Sequence, residues 1–181
     1  MNLIWRTLLH FFLSRRRSTL GPFDVSSTAF RVLPTDLDTN RHMNNGRYLS
    51  ISDLGRLDLL RRTGVYATLM RNEWYPVVQS SSMTHRKSLM PWQKFEVESK
   101  VSGFDDRAVY MEQRFVVKGE IYASIVLKAR FLKRTGGTVP MNELVAALGF
   151  DAPHTEPAGW VQRWAQDAAL PSTRQPAPSE W

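Results

Sequence analysis

One long segment of helical period followed by four segments of strict alternation restricts the fold of this chain more than any other property. Between residues 44 and 62, Tyr48, Ser52, Gly55 and Leu59 fall on one stripe flanked by Leu49 and Ile51. Leu54, Leu57 and Leu60 lie on other faces. A helix with apolar residues on several faces is covered on more than one side, unlike a surface helix. The small residues in the stripe would let another element approach closely. Asn44 or Asn45 can cap its start, because an Asn side chain accepts a bond from a free backbone N–H. Gly64 is a plausible stop.

The remainder is mostly strand-like. Residues 23–33 read as a first strand that stops at Pro34, and residues 35–45 as a polar loop. After Gly64 the pattern turns to alternation, with residues 77–87 a long and rather polar strand. Phe95, Val97, Ser99 and Val101 alternate with Glu96, Glu98, Lys100 and Ser102, which describes a strand with one wet face. A turn at residues 103–107 leads to Val109, Met111, Phe115 and Val117, alternating with Tyr110, Glu112, Arg114 and Lys118. Lys118-Gly119-Glu120 is a tight hairpin turn. Ile121, Ala123, Ile125, Leu127, Ala129 and Phe131 then form an inward face opposite Lys128, Arg130 and Arg134, ended by Gly136-Gly137.

Short helices are expected at residues 141–148 and 157–169, the latter with Trp160 and Trp164 on one face, before a Pro- and Ser-rich end expected to be disordered. The order is strand, helix, four strands. That is α+β, not a βαβ alternation, and suggests an antiparallel sheet curled around one central helix. The expected division is an apolar and basic segment over residues 1–20, the domain over 21–135, and C-terminal helices with a tail over 136–181.

With 181 residues the chain has room for one core. It has no cysteine, which removes disulfides, thiol nucleophiles and Cys-ligated zinc together. No Gly-x-Ser-x-Gly elbow, Walker loop or dinucleotide fingerprint is present. The histidines at 10, 42, 85 and 154 form no zinc-ligand pair at helical spacing. Neither a metal nor a cofactor is expected, and acid–base or water-mediated chemistry remains. The net charge of +7 favours anionic partners: nucleic acid, an acidic membrane or a phosphate-bearing substrate. Zinc-finger spacing and an aromatic RNA-binding signature are both lacking, so nucleic acid is not the expected partner.

The first 17 residues stand apart. On a helix, Ile4, Trp5, Leu8, Leu9, Phe12 and Leu13 share one side, Arg6, Thr7, His10 and Ser14 lie largely on the other, and Arg15-Arg16-Arg17 follows. The apolar run is too short to span a bilayer. Its basic residues come after it, the reverse of a signal peptide. Either the segment lies in a membrane interface, or it is a helix packed on the protein's own body or on a dimer partner; periodicity does not choose between these. A cytoplasmic protein, peripheral to the inner face of a membrane in the first case, is the expectation.

The polar side chains concentrate at residues 36–48: Asp36, Asp38, Asn40, His42, Asn44 and Asn45 gather at the entry to the apolar helix. A helix N-terminus offers free N–H groups and a partial positive potential, which can stabilise an oxyanion in acyl transfer. A carboxylate and an imidazole a few residues apart can activate water. Asp and Asn are also ordinary capping and loop residues, and composition alone favours that plainer reading.

The run Asp-Leu-Asp-x-Asn-x-His-Met-Asn-Asn-x-x-Tyr, from Asp36 to Tyr48, resembles the motif of hotdog-fold acyl thioesterases. It is especially similar to plant acyl-ACP thioesterases around their catalytic Asp, Asn and His, and more loosely to the 4-hydroxybenzoyl-CoA thioesterase group. A longer match, through residues 53–56 and including Gly103-Phe104-Asp105-Asp106-Arg107-Ala108, is similar to thioesterase-superfamily-member-6 proteins. The resemblance covers roughly residues 21–134. It implies a hotdog fold and an acyl-CoA or acyl carrier protein substrate, with Asp38 as general base or nucleophile. Asn40 would orient substrate or water, and His42 would be the catalytic imidazole. Asn44, Asn45, Gly46 and Tyr48 would form the substrate-binding end, with helix-terminal N–H groups of Asn45 and Gly46 on the thioester oxygen and Tyr48 mainly packing. Asp53 stands where relatives often have Glu, a shorter reach. The family fold further implies a homodimer, or a dimer of dimers, with the acyl tunnel and the site at the subunit interface. Arg86, Lys87, Arg130 and Arg134 are candidates for CoA phosphates or an acidic carrier. A non-catalytic acyl- or lipid-binding protein associated with membrane is the alternative. A hydroxyacyl dehydratase fits less well, because such enzymes place their His and acid differently.

Overall fold

The computed structural model describes residues 3–149, 155–172 and 175–179. In chain order the elements are α1 (Ile4–Ser14), β1 (Ser26–Arg31), a 3-10 turn (Pro34–Asp36), α2 (Asn45–Arg62), α3 (Val65–Arg71), β2 (Trp74–His85), β3 (Lys94–Phe104), β4 (Val109–Val117), β5 (Glu120–Lys133), α4 (Met141–Leu148) and α5 (Gly159–Asp167). The five strands form one antiparallel sheet in the order β1-β3-β4-β5-β2. The β4–β5 turn places Lys118 and Gly119 at φ 50° and 82°. Two left-handed central residues are what a tight hairpin needs to match the strand twist.

The central helix is seated by a glycine. A Cβ on Gly55 would lie 2.8 Å from Val97 Cγ1 and 3.0 Å from Ser99 Oγ, so α2 approaches β3 as closely as a backbone without a side chain allows. Beside it runs a buried polar row. Gln113 Nε2 donates to the Ser52 carbonyl (2.9 Å) and to Ser99 Oγ (2.8 Å), while Gln113 Oε1 accepts from Arg56 Nη1 (2.8 Å). Phe30, Phe95, Phe115 and Tyr48 form a continuous run of ring contacts in the core. A Gly55→Val variant must push α2 off the sheet and is expected to lose about 1–3 kcal/mol of stability, read as a lower urea midpoint at unchanged slope.

The expected strands and helices are present, the first strand confined to Ser26–Arg31 within the expected 23–33, and three further differences stand out. Residues 65–71, taken for part of the alternating stretch, are helix α3, entered through Gly64 at φ 79°. Strand β2 begins at Trp74, before the expected residue 77, and admits Pro76. A proline is tolerated there because β2 is an edge strand. Tyr110, expected on the wet face of β4, is buried, because α5 covers that face with Val161 and Ala165 against Ala108, Tyr110 and Val126. The Tyr110 hydroxyl donates to Asp105 (2.8 Å). Burial and this carboxylate push the phenol well above its usual range. Burial also pushes the Asp105 carboxyl up, but the Arg107 and Ala108 N–H groups, the Tyr110 hydroxyl and Lys128 outweigh it and hold it below its ordinary value.

Helix α1 has its faces reversed relative to an ordinary surface helix. Arg6 pairs with the fully buried Asp36 (2.9 Å) and donates to the Arg31 carbonyl (2.8 Å). The His10 ring packs on Phe30 at 4.4 Å, and Ser14 is buried. Burial, helped by Arg17, holds the His10 imidazole below its usual value. Arg17 reaches the buried Asp58 (3.0 Å), which also accepts from Ser26 Oγ (2.6 Å) and Arg62 (3.3 Å). The polar side faces the protein, and Ile4, Trp5, Leu8, Leu9, Phe12 and Leu13 point outward. The helix thus packs on the protein's own body, but through its polar side and not its apolar one. No helix among the described residues is long and apolar enough to cross a membrane.

Candidate active site

The segment from Asp36 to Tyr48 is a compact loop leading into α2. Asp36 anchors it: one carboxylate oxygen accepts from the Leu33 N–H (2.9 Å), and Arg6 and Arg47 flank it (2.9 and 3.9 Å). Isolated pairing of Leu37 with Met43 closes the loop. Within it the Asp38 N–H donates to the His42 carbonyl (3.0 Å) and the Arg41 N–H to the Asp38 carbonyl (3.1 Å). Arg41 takes a left-handed φ of 59° to make the turn. This folds His42 back onto Asp38, with Nδ1 3.4 Å from Oδ2. The other carboxylate oxygen accepts from the Asn40 N–H (2.9 Å). The side chains of Asp38 and His42 are 21% and 31% exposed, so solvent reaches both. The Asn40 side chain is exposed.

The loop then delivers the chain into α2. The Met43 N–H donates to the Leu89 carbonyl and the Asn44 N–H to the Asp36 carbonyl, both at 2.9 Å. Asn44 is the cap: its Oδ1 accepts from the Gly46 N–H (2.9 Å) and its carbonyl from the Arg47 N–H (2.8 Å). The first-turn N–H of Gly46 is thus occupied. The Asn45 N–H has no hydrogen-bond partner among the described residues and sits on an exposed residue. Tyr48 is in the core, its ring edge-on to Phe115 and His85, and its hydroxyl accepts from the Leu89 N–H (3.2 Å). Burial pushes its phenol up.

An apolar cavity of about 440 Å³ lies between α2, the sheet and α4, within the usual range for small-molecule sites. Leu54, Leu57, Val101, Met111, Phe131 and Leu144 are among its walls. Asp38, Asn40 and His42 do not line it. Asp53 and Arg56 do, side by side and paired with each other. Arg56 is a residue that sequence reasoning missed. It is largely buried, and burial lowers its pKa to about 10. Its signal was the placement of an arginine one turn after Ser52 and Asp53, next to the glycine of the small-residue stripe. Among the cations proposed for a charged substrate, Arg86 and Lys87 are both taken up by Glu120 (2.7 Å each). Their donors hold the Glu120 carboxyl below its ordinary value. Arg130 lines a second cavity of about 740 Å³, of mixed polar and apolar character, with Asp105, Asp106, Arg107 and Asn142, and its buried Nε has no partner among the described residues.

Residues 32–149 match the model of the thioesterase-like superfamily, a stretch that holds the loop, the central helix, strands β2–β5 and α4. The chain belongs to this superfamily. Protein THEM6 of Xenopus laevis is 37% identical over 99 residues, which cover 55% of this chain and 48% of that protein. The chain thus spans about half the length of that relative. A probable thioesterase from Escherichia coli, YbaW, shares the fold at a TM-score of 0.64 and 19% identity, covering 68% of this chain and 96% of that one. A DHNA-CoA thioesterase from Staphylococcus aureus does so at a TM-score of 0.61 and 16% identity, covering 81% and 96%. At these identities the two structures establish the hotdog architecture, and the family assignment rests on the model match.

Proposed function

We propose that the protein hydrolyses an acyl thioester of CoA or of acyl carrier protein. The observation that carries this reading is the fold of the 38–42 loop, which sets an imidazole 3.4 Å from a solvent-reachable carboxylate at the head of the central helix, in a chain of the thioesterase-like superfamily. In the reading the Asp38 carboxylate takes a proton from water, and the resulting hydroxide adds to the thioester carbonyl. The Asn45 N–H, free at a helix N-terminus, faces the oxyanion that forms. Collapse breaks the carbon–sulfur bond, and the proton returns to the thiolate, giving a carboxylic acid and a free thiol. Direct attack by Asp38 gives the same products through an acyl anhydride. The Asn40 N–H holds the carboxylate in place, its side chain is available to water or substrate, and His42 orients the carboxylate.

The apolar cavity suits an acyl chain, and in one protomer the loop does not line it. A second copy would complete the site. The twelve-residue edge strand β2, with exposed Tyr75, Val77 and Val78, supports pairing between copies. A CoA ester is in keeping with the CoA thioesterase among the structural neighbours, and Arg107 and Arg130, in a cavity that Asp105 and Asp106 also line, offer cations for its phosphates.

The test is a hydrolysis screen over acyl-CoA and acyl-carrier esters of increasing chain length, following release of free thiol. Turnover of at least one series is expected. Purified protein that retains an acyl ligand and releases no thiol from any ester would replace this reading with the non-catalytic binder.

A further inference from the structure

We propose that the outward face of α1 is a seat on an anionic lipid surface. The orientation of the helix is fixed by its inner side. Arg6 and Arg17 reach the fully buried carboxylates of Asp36 and Asp58, and Arg61 lies over the Phe11 ring at 3.7 Å. Rolling the apolar side inward would break both ion pairs and strand two buried charges, which is strongly unfavourable. What is left outside is a continuous stripe of large apolar side chains: Trp5 is 83% exposed, and Ile4, Leu8, Leu9, Phe12 and Leu13 are 39–57% exposed. Single exposed hydrophobes are ordinary; a whole helix face of them marks an interaction site.

Charge selects the occupant. Of the four arginines in residues 1–23, Arg6 and Arg17 are neutralised by Asp36 and Asp58, while Arg15 and Arg16 are exposed at the end of the stripe with no acidic residue in that segment. A second copy laid against this face would bring the same unopposed arginines to it. Anionic headgroups supply the missing sign. Eleven residues give a helix about 16 Å long, so it lies in the plane of the interface with its apolar side down, as such helices do. Trp5 has the amphipathic ring favoured at that depth. The proposal stands apart from the hydrolase reading, since no turnover enters its test.

The experiment is co-sedimentation of the full chain with phosphatidylcholine vesicles, with and without phosphatidylglycerol. Deleting residues 1–17 would also strip Asp36 and Asp58 of their partners, so surface substitutions are cleaner. The wild type is expected to bind the anionic vesicles and to prefer them. Arg15→Gln with Arg16→Gln should weaken that binding roughly thirtyfold and erase most of the preference. Trp5→Ser with Phe12→Ser should abolish binding while circular dichroism and the urea midpoint stay unchanged. The proposal is overturned if the wild type ignores anionic vesicles or if the Trp5/Phe12 variant binds them as well as the wild type. It is equally overturned if that variant instead breaks up an oligomer seen by light scattering, which would assign the face to a second copy.

Discussion

An Asp38→Asn variant is expected to remain folded and to lose thioester hydrolysis by about 10²–10⁴-fold, the usual worth of a positioned general base. The substitution is nearly isosteric. The amide oxygen of Asn can still accept from the Asn40 N–H, which the carboxylate now does at 2.9 Å, so the loop keeps its turn. What disappears is the ability to take a proton from water or to form an anhydride. Steady-state kinetics on the best ester from the hydrolysis screen, alongside a urea titration, separates the two effects. Most of the loss should fall on kcat, because Asp38 does not line the cavity assigned to the acyl chain. Wild-type turnover in the variant would remove Asp38 from the chemistry and direct attention to Asp53, the carboxylate that does border the cavity.

Replacing Asp58 with Ala is expected to cost about 3–5 kcal/mol, the usual result of removing one partner from a buried ion pair. Its carboxylate is 1% exposed and joins three elements: Arg17 after α1, Ser26 of β1 and Arg62 of α2. Without it Arg62, only 11% exposed, loses its acid, and Ser26 Oγ loses its acceptor. Against the 5–15 kcal/mol that holds a typical domain together, this is a large fraction. Asp58→Asn, which can still accept from Ser26, should cost less. Chemical denaturation of both variants gives the comparison, and a loss below about 1 kcal/mol for Asp58→Ala would show that the cluster behaves like a surface pair.

The central helix and the β3–β4–β5 succession were legible because their signals are local: alternation, a Lys-Gly turn, an Asn cap. Helix α3 was not, because seven residues carrying Val, Tyr and Thr show too little period to tell helix from strand. Strand β2 was read short because Pro76 looks like a boundary until the strand is known to be an edge. Gln113 occupies an inward position of β4 that alternation would give to an apolar residue; its partners Ser52, Arg56 and Ser99 lie on other elements. The amphipathicity of α1 was plain, but which side turned inward depended on Asp36 and Asp58, far along the chain. The same limit applies to the site. The spacing of Asp38, Asn40 and His42 pointed to the loop, and nothing in it told how the loop stands relative to the cavity.

Because α1 is fastened through its cations, its greasy side contributes little to keeping the molecule folded. Those outer positions are accordingly open to change in a way that core positions are not. A lineage could exchange Trp5, Leu9 or Phe12 for milder or stronger hydrophobes without disturbing the scaffold that carries Asp38.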